Sequence, residues 1–221
     1  ELRVLAALAD EEKMIEAFNS GIDIHTKTAM DVFKVSQDEV TPLIRRHAKA
    51  VNFGVVYGIS DFGLANQTSL SFKDAKRFID DYFETYPGIK EYLDRCKEDA
   101  KEKGYSVTYT GRRRPIPELS SNNFMQRSFG ERVAMNSPIQ GTAADIAKIA
   151  MLELNDALKE NRLDARIVLQ VHDELIFECP DDAETIEKTI SLIKDKMENA
   201  VKLNVPLRVS IEYGKNWGEF H

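Results

Sequence analysis

No apolar run in this 221-residue chain approaches membrane length, and no signal peptide opens it, so neither a spanning helix nor a secretory leader is expected. Cysteine is scarce. Cys96 and Cys179 form neither a disulfide framework nor a zinc pattern, a usage that fits a reducing cytoplasm. Positive charge is short as well, with 30 Lys and Arg against 37 Asp and Glu, a formal net charge of -7 and a pI near 5.3. That balance speaks against a generic nucleic-acid coat, whose footprint is basic, although the placement of charge governs backbone contact more than its sum does. Lys97, Lys101, Lys103, Arg112, Arg113 and Arg114 collect around one connection, while Asp181, Asp182, Glu184 and Glu187 gather elsewhere. An initiating Met is missing too, which is expected of an excised segment. A chain of this length can bury a sizeable core as one domain or two lobes.

Periodicity predicts mostly helix with a few strands. Leu2, Leu5 and Leu8, then Met14, Ile15 and Phe18, mark an initial helical region broken near Asp10, which is placed to cap the second piece. Ser36 with Glu39 reads as a capping box, and Thr41-Pro42 as the cap and first residue of a helix that ends near Gly58. Ser71 opens a helix with an apolar face of Phe72, Ala75, Phe78, Ile79, Tyr82 and Phe83, which stops at Pro87-Gly88. The next helix runs toward Gly104. Alternation over 105–110 predicts a strand ending at Gly111, followed by three guanidinium groups that are phosphate contacts or ion-pair partners. A long helix is expected from Thr142 to about Leu158, and an amphipathic one through Ile186, Ile190, Ile193, Met197 and Val201. A final strand over 207–211 is expected to pair beside a hairpin at 166–178, and Trp217 to pack.

Two segments carry chemistry. On one helix Arg45, Lys49, Phe53 and Tyr57 recur at i, i+4, i+8 and i+12, so two cations and two aromatic rings face one broad groove. That surface suits a nucleoside triphosphate; solvated cations above core aromatics are the competing reading. Between the apolar runs around Val168 and Ile176, His172, Asp173 and Glu174 read as a tight hairpin tip. Carboxylates fixed there suit a hard cation such as Mg²⁺, the competing reading being ordinary turn polarity.

These residues resemble the C-terminal fingers and palm portion of bacterial family A DNA polymerases, over essentially the whole chain. Arg45, Lys49, Phe53, Tyr57 and Gly58 match the fingers-helix pattern, and His172, Asp173 and Glu174 match the palm hairpin. The resemblance implies an α+β fold, with a helix-rich fingers subdomain inserted in an incomplete palm that carries a small antiparallel sheet. It divides the chain into the start of the palm at 1–19, fingers at 20–125 and palm with the metal hairpin at 126–221.

It also implies roles. Arg45, Lys49 and His25 would hold the triphosphate, with Lys49 counted as catalytic beside Asp173 and Glu174. Phe53 would stack on the incoming base and sugar, as in variants that discriminate against dideoxynucleotides, and Tyr57 would stand near the templating base. Glu1 would block a ribose 2′-hydroxyl. Arg132, Asn136 and Gln140 would touch the nascent pair, His172 and Gln170 the primer terminus, and Arg112 the DNA backbone.

Asp173, with Glu174 in support, would bind the metal, two Mg²⁺ ions in the complete site, with Mn²⁺ a possible substitute. The expected partners are primer-template DNA, dNTPs and an upstream segment supplying a further palm Asp, in a complete protein that is a cytoplasmic, nucleoid-associated bacterial monomer. Alone, the chain is expected to be inactive, because Asp173 and Glu174 cannot fix both ions. A metal-dependent nuclease and a noncatalytic DNA-binding fragment are the alternatives.

Overall fold

Apolar residues spaced three and four apart fold the first part of the chain into helices around a shared core. A computed structural model describes residues 1–219, which fall into two units, Glu1–Thr142 and the residues from Ala143 onward. Helix α1 (Leu2–Ala9) buries Leu2, Val4, Leu5 and Ala6. Asp10 closes it in the left-handed region at φ 50°. The expectation that Asp10 caps α2 (Glu12–Ser20) is therefore corrected; Glu11 holds that position. Asp tolerates left-handed backbone better than most residues, and that use prevails here. Glu11 itself is buried and accepts the Gly88 N–H at 2.9 Å.

Asp23 caps α3 (Ile24–Phe33) by accepting the Thr26 N–H at 2.8 Å. Thr41 and Pro42 open α4 (Pro42–Val56) as expected. The Thr41 hydroxyl accepts the Ile44 N–H at 3.3 Å, and Pro42 sits where no N–H is needed. The helix ends at Tyr57 with Gly58 at φ 65°. Then come α5 (Asp61–Gln67), α6 (Phe72–Thr85) and α7 (Pro87–Lys103), which stops at Gly104, φ 78°. Leu5, Met14, Val51, Val56, Leu64, Tyr82, Tyr86 and Ile89 form the fully buried heart of this unit. Phe72 departs from the expected apolar face and is 57% exposed, because at the first position of α6 it has no preceding turn to cover.

The predicted single strand is instead a hairpin. Strand β1 (Tyr105–Val107) pairs antiparallel with β2 (Arg113–Pro115) across a turn in which Gly111 has φ 89°. The Arg113 guanidinium lies 4.9 Å from the Tyr105 ring centre. Helix α8 (Phe124–Glu160) starts well before the expected Thr142, with Pro138 inside it. Proline lacks an N–H and clashes with the preceding turn, so the sequence looks broken where the chain is continuous. Ala100, Ile116 and Ala134, with Leu119 and Val133, make a smaller cluster beside the hairpin.

In the second unit, β3 (Arg166–Val171) and β4 (Glu174–Glu178) form an antiparallel hairpin with an irregularity between Ile167 and Leu169. Glu174 pairs with Val171 inside the ladder, so the tip consists of His172 and Asp173 alone. Asp182 caps α9 (Ala183–Asn199), which ends before Val201. Ala150, Leu154, Ala157 and Leu158 of α8 are buried, as are Ile193 and Val205. The strand expected over 207–211 is not formed. There the Val209 N–H goes to the Glu198 carboxylate at 3.2 Å rather than to a neighbouring strand. Trp217 lies in a short 3₁₀ turn and is 42% exposed, less packed than expected. Among the described residues no helix is long and apolar enough to cross a membrane.

Candidate functional site

The first turn of α4 places Arg45 against the cap of α3. Its Nε and Nη2 donate to Asp23 Oδ2 and Oδ1, both at 2.9 Å, and Asp23 Oδ2 also accepts the Thr26 hydroxyl at 2.8 Å. The Arg45 guanidinium pulls the Asp23 carboxyl down to about 2, helped by Thr26 and opposed by partial burial. Asp23 in turn holds Arg45 more firmly protonated. Both side chains are 44% exposed, so the pair stabilises the fold by less than about 1 kcal/mol. Its effect is geometric, fixing the plane of the guanidinium.

One turn on, Lys49 Nζ lies 5.8 Å from the Phe53 ring centre, and the His25 ring is 5.7 Å from the same centre. His25 is half-buried, which lowers its pKa; Asp23 opposes the shift, while Arg45 and Lys49 reinforce it. Phe53 and Tyr57 are 39% and 44% exposed, which rules out the core reading of these two rings. The Tyr57 hydroxyl donates to Glu1 Oε2 at 3.0 Å and also meets Gln140. Burial first, then Glu1, pushes that phenol upward, with Gln140 acting the other way.

Phe53, Tyr57, Gly58, Ser60, Gln67 and Arg132 line an open cleft of about 560 Å³. Gly58 permits the close approach there: a Cβ would meet Met135 Cε at 2.7 Å and Arg132 Cγ at 3.2 Å.

Arg132, Asn136 and Gln140 follow one another at i, i+4 and i+8 on α8. Arg132 donates to Ser128 Oγ at 3.1 Å. Asn136 Oδ1 is buried and has no hydrogen-bond partner among the described residues. Arg112 donates from Nη2 to the Gly141 carbonyl at 2.9 Å, which ties the β1–β2 turn to α8. The neighbouring basic cluster is largely neutralised, Lys97 pairing with Asp94, Lys101 with Glu131 and Lys103 with Asp99.

Within the second unit, Gln170, His172, Asp173 and Glu174 are all exposed on the β3–β4 hairpin. His172 has φ 54°, a backbone conformation that costs a non-glycine residue about 1–2 kcal/mol. Gln170 Nε2 lies 3.5 Å from the His172 carbonyl, at the limit of a hydrogen bond. Among the described residues no group of three or more His, Cys, Asp or Glu is placed to hold a metal ion. Asp173 and Glu174 alone offer fewer oxygen ligands than the roughly six to eight that a hard divalent cation such as Ca²⁺ or Mg²⁺ takes up.

The first unit thus gathers His25, Arg45, Lys49 and Phe53, and joins Tyr57 to Glu1, Gln140 and the cleft beside Arg132. Sequence reasoning missed Asp23 and Asn52. Asp23 stands in a helix-start pattern, Asp-Ile-His-Thr, that signals a cap but not its arginine. Asn52 is a polar residue among the apolar ones of α4 and is fully buried.

A family model described as DNA polymerase family A matches residues 1–219. The DNA polymerase I of Bacillus caldotenax is 57% identical over 217 residues, covering 98% of this chain and 24% of that protein. The DNA polymerase I of Bacillus subtilis (strain 168) is 55% identical over 218 residues, with the same two shares. The chain spans about a quarter of the length of these curated relatives. Among solved structures, the POL domain of Pol1 from M. smegmatis, in complex with DNA primer-template and dNTP, matches with a TM-score of 0.92 at 44% identity. That match covers 98% of this chain and 38% of the other.

Proposed function

Because the chain belongs to DNA polymerase family A and corresponds to the C-terminal fingers and palm region of the bacterial DNA polymerase I group, we propose that it receives dNTPs and holds the primer end in a DNA-templated DNA polymerase. The observation that carries this reading is the exposed row of Arg45, Lys49 and Phe53 on α4, continued by Tyr57 at its C-cap, with His25 beside Phe53. Residues 20–125 act as fingers, and 1–19 with 126–221 as palm. Arg45, Lys49 and His25 hold the phosphates, Phe53 stacks on the base and sugar, and Tyr57 guards the templating position. Glu1, held by Tyr57, excludes a ribose 2′-hydroxyl.

Asn136 offers its buried acceptor to the nascent pair, along with Arg132 and Gln140, and Arg112 meets the DNA backbone. His172 and Gln170 contact the primer terminus, whose 3′-hydroxyl attacks the α-phosphate as pyrophosphate leaves. Asp173, with Glu174 in support, holds Mg²⁺ or substituting Mn²⁺ together with a carboxylate from another part of the polymerase. The chemistry that ions so held supply is activation of the attacking oxygen and stabilisation of the leaving one. The complete protein works as a cytoplasmic, nucleoid-associated monomer.

Primer extension by the complete polymerase tests this. Arg45→Ala and Lys49→Ala are expected to lower kcat/KM for dNTP by about 10²-fold, the scale for removing one charged donor from a developing anion. Asp173→Ala abolishes turnover; full activity there contradicts the metal assignment. Hydrolysis of DNA without nucleotides would point to a nuclease, and salt-sensitive binding without incorporation to a noncatalytic module.

A further inference from the structure

Behind His25 runs a line of polar groups that phosphate binding alone does not explain. Asn52 is fully buried on α4, and its Nδ2 lies 3.1 Å from His25 Nδ1 and 3.0 Å from Thr28 Oγ1. The Thr28 hydroxyl also donates to Asn52 Oδ1 at 3.2 Å, so it holds both ends of the amide. A buried amide held in this way has a direction, because its two ends differ in what they can give and accept.

The direction follows from the amide itself. Its NH₂ only donates and its carbonyl oxygen only accepts. Asn52 Nδ2 faces both Thr28 Oγ1 and His25 Nδ1, while Asn52 Oδ1 accepts the Thr28 hydroxyl, so His25 Nδ1 must present a lone pair.

We propose that Asn52 is a positioning residue that, held by Thr28, fixes His25 as the tautomer protonated on Nε2. The ring is then offered to a triphosphate as a directed hydrogen-bond donor, a use that rests on the polymerase reading. Among the described residues Nε2 has no hydrogen-bond partner. The charged groups around the ring are Asp23 from the cap of α3 and Arg45 and Lys49 from α4. Burial lowers the imidazole pKa, Asp23 opposes that shift, and Arg45 and Lys49 add to it. Arg45 and Lys49 supply charge to the phosphates, and His25 supplies a directed N–H.

The tautomer is read directly by long-range ¹H–¹⁵N correlation of the histidine rings in this chain at neutral pH, with His25→Gln assigning the signal. The expected spectrum has a single tautomer for His25, unprotonated at Nδ1. Protonation at Nδ1, or averaging over both tautomers, overturns the proposal.

Thr28→Val and Asn52→Asp probe the line from either end. Thr28→Val removes the anchor of the amide and is expected to give mixed tautomers. Asn52→Asp places an acceptor against the ring and is expected to move the proton to Nδ1. A ring unchanged in both variants also overturns it.

In the complete polymerase, Asn52→Asp is expected to raise KM for dNTP about 10-fold with little change in kcat, and to add nothing in a His25→Ala background. Additive losses there would assign Asn52 a merely structural role. The spectrum needs no nucleotide, so absence of primer extension would count against the polymerase reading while the tautomer is judged separately.

Discussion

Asp23 shows how a single side chain serves both fold and site. It caps α3 and braces Arg45 at once, and the two duties respond differently to substitution. Its carboxyl falls from 3.8 to about 2 on folding. A depressed folded value means that its contribution is complete above the unfolded value and is lost as pH falls through the folded one. Thermal unfolding of Asp23→Asn, in which Asn still caps the helix, should therefore show a deficit above about pH 4 that vanishes near pH 2. With both partners exposed, that deficit is expected to stay below about 1 kcal/mol. A deficit independent of pH would assign the loss to the cap instead.

His172 is the opposite case, held at φ 54° in the region that favours glycine. His172→Gly should leave thermal stability unchanged or raise it by up to about 1 kcal/mol, while weakening primer extension. A clear loss of stability would mean that the imidazole supports the hairpin. The roles of Arg45 and Lys49 could be suggested from spacing, because helical geometry converts spacing into a shared face. Asp23 and Asn52 could not, because their partners lie 22 and 27 positions away along the chain.

Among the elements, α4 was legible at both ends because its stop and start signals are local. Thr41 and Pro42 begin it, and Gly58 supplies a left-handed residue after it. Gly58→Ala would strain that backbone by about 1–2 kcal/mol and drive a methyl toward Met135 and Arg132. Urea unfolding should report a loss of at least about 1 kcal/mol; a neutral result would contradict both the backbone strain and the close approach to Met135 and Arg132.

Helix α8 was half hidden by Pro138 and by Gly130 and Gly141, residues that signal breaks when read one at a time. Gly141 is present for contact rather than for flexibility: a Cβ there would lie 2.5 Å from Thr108 Cγ2 at the β1–β2 turn. The strand expected at 207–211 failed for a different reason. Alternating side chains prepare a segment for a sheet but do not supply the neighbour that completes it, and Val209 turned to Glu198.

For the molecule as a whole, the α+β class came with the family resemblance, while the helix-rich character was readable from periodicity and the site motifs from their spacing. The division after Thr142 was not, since it falls inside a continuous helix and leaves no break in composition. The acidic net charge of -7 coexists with local cations because most of the basic side chains around α7 are already paired. The proposed chemistry needs both units, the first for the triphosphate and the second for the metal and primer end. Rapid-quench single-nucleotide incorporation by the complete polymerase, followed across dNTP concentrations, separates the two duties. Lys49→Ala should shift the dNTP concentration needed for half-maximal rate, while Asp173→Ala should still bind dNTP but form no product. Undiminished incorporation by Asp173→Ala, or an unaltered dNTP dependence in Lys49→Ala, would contradict the account.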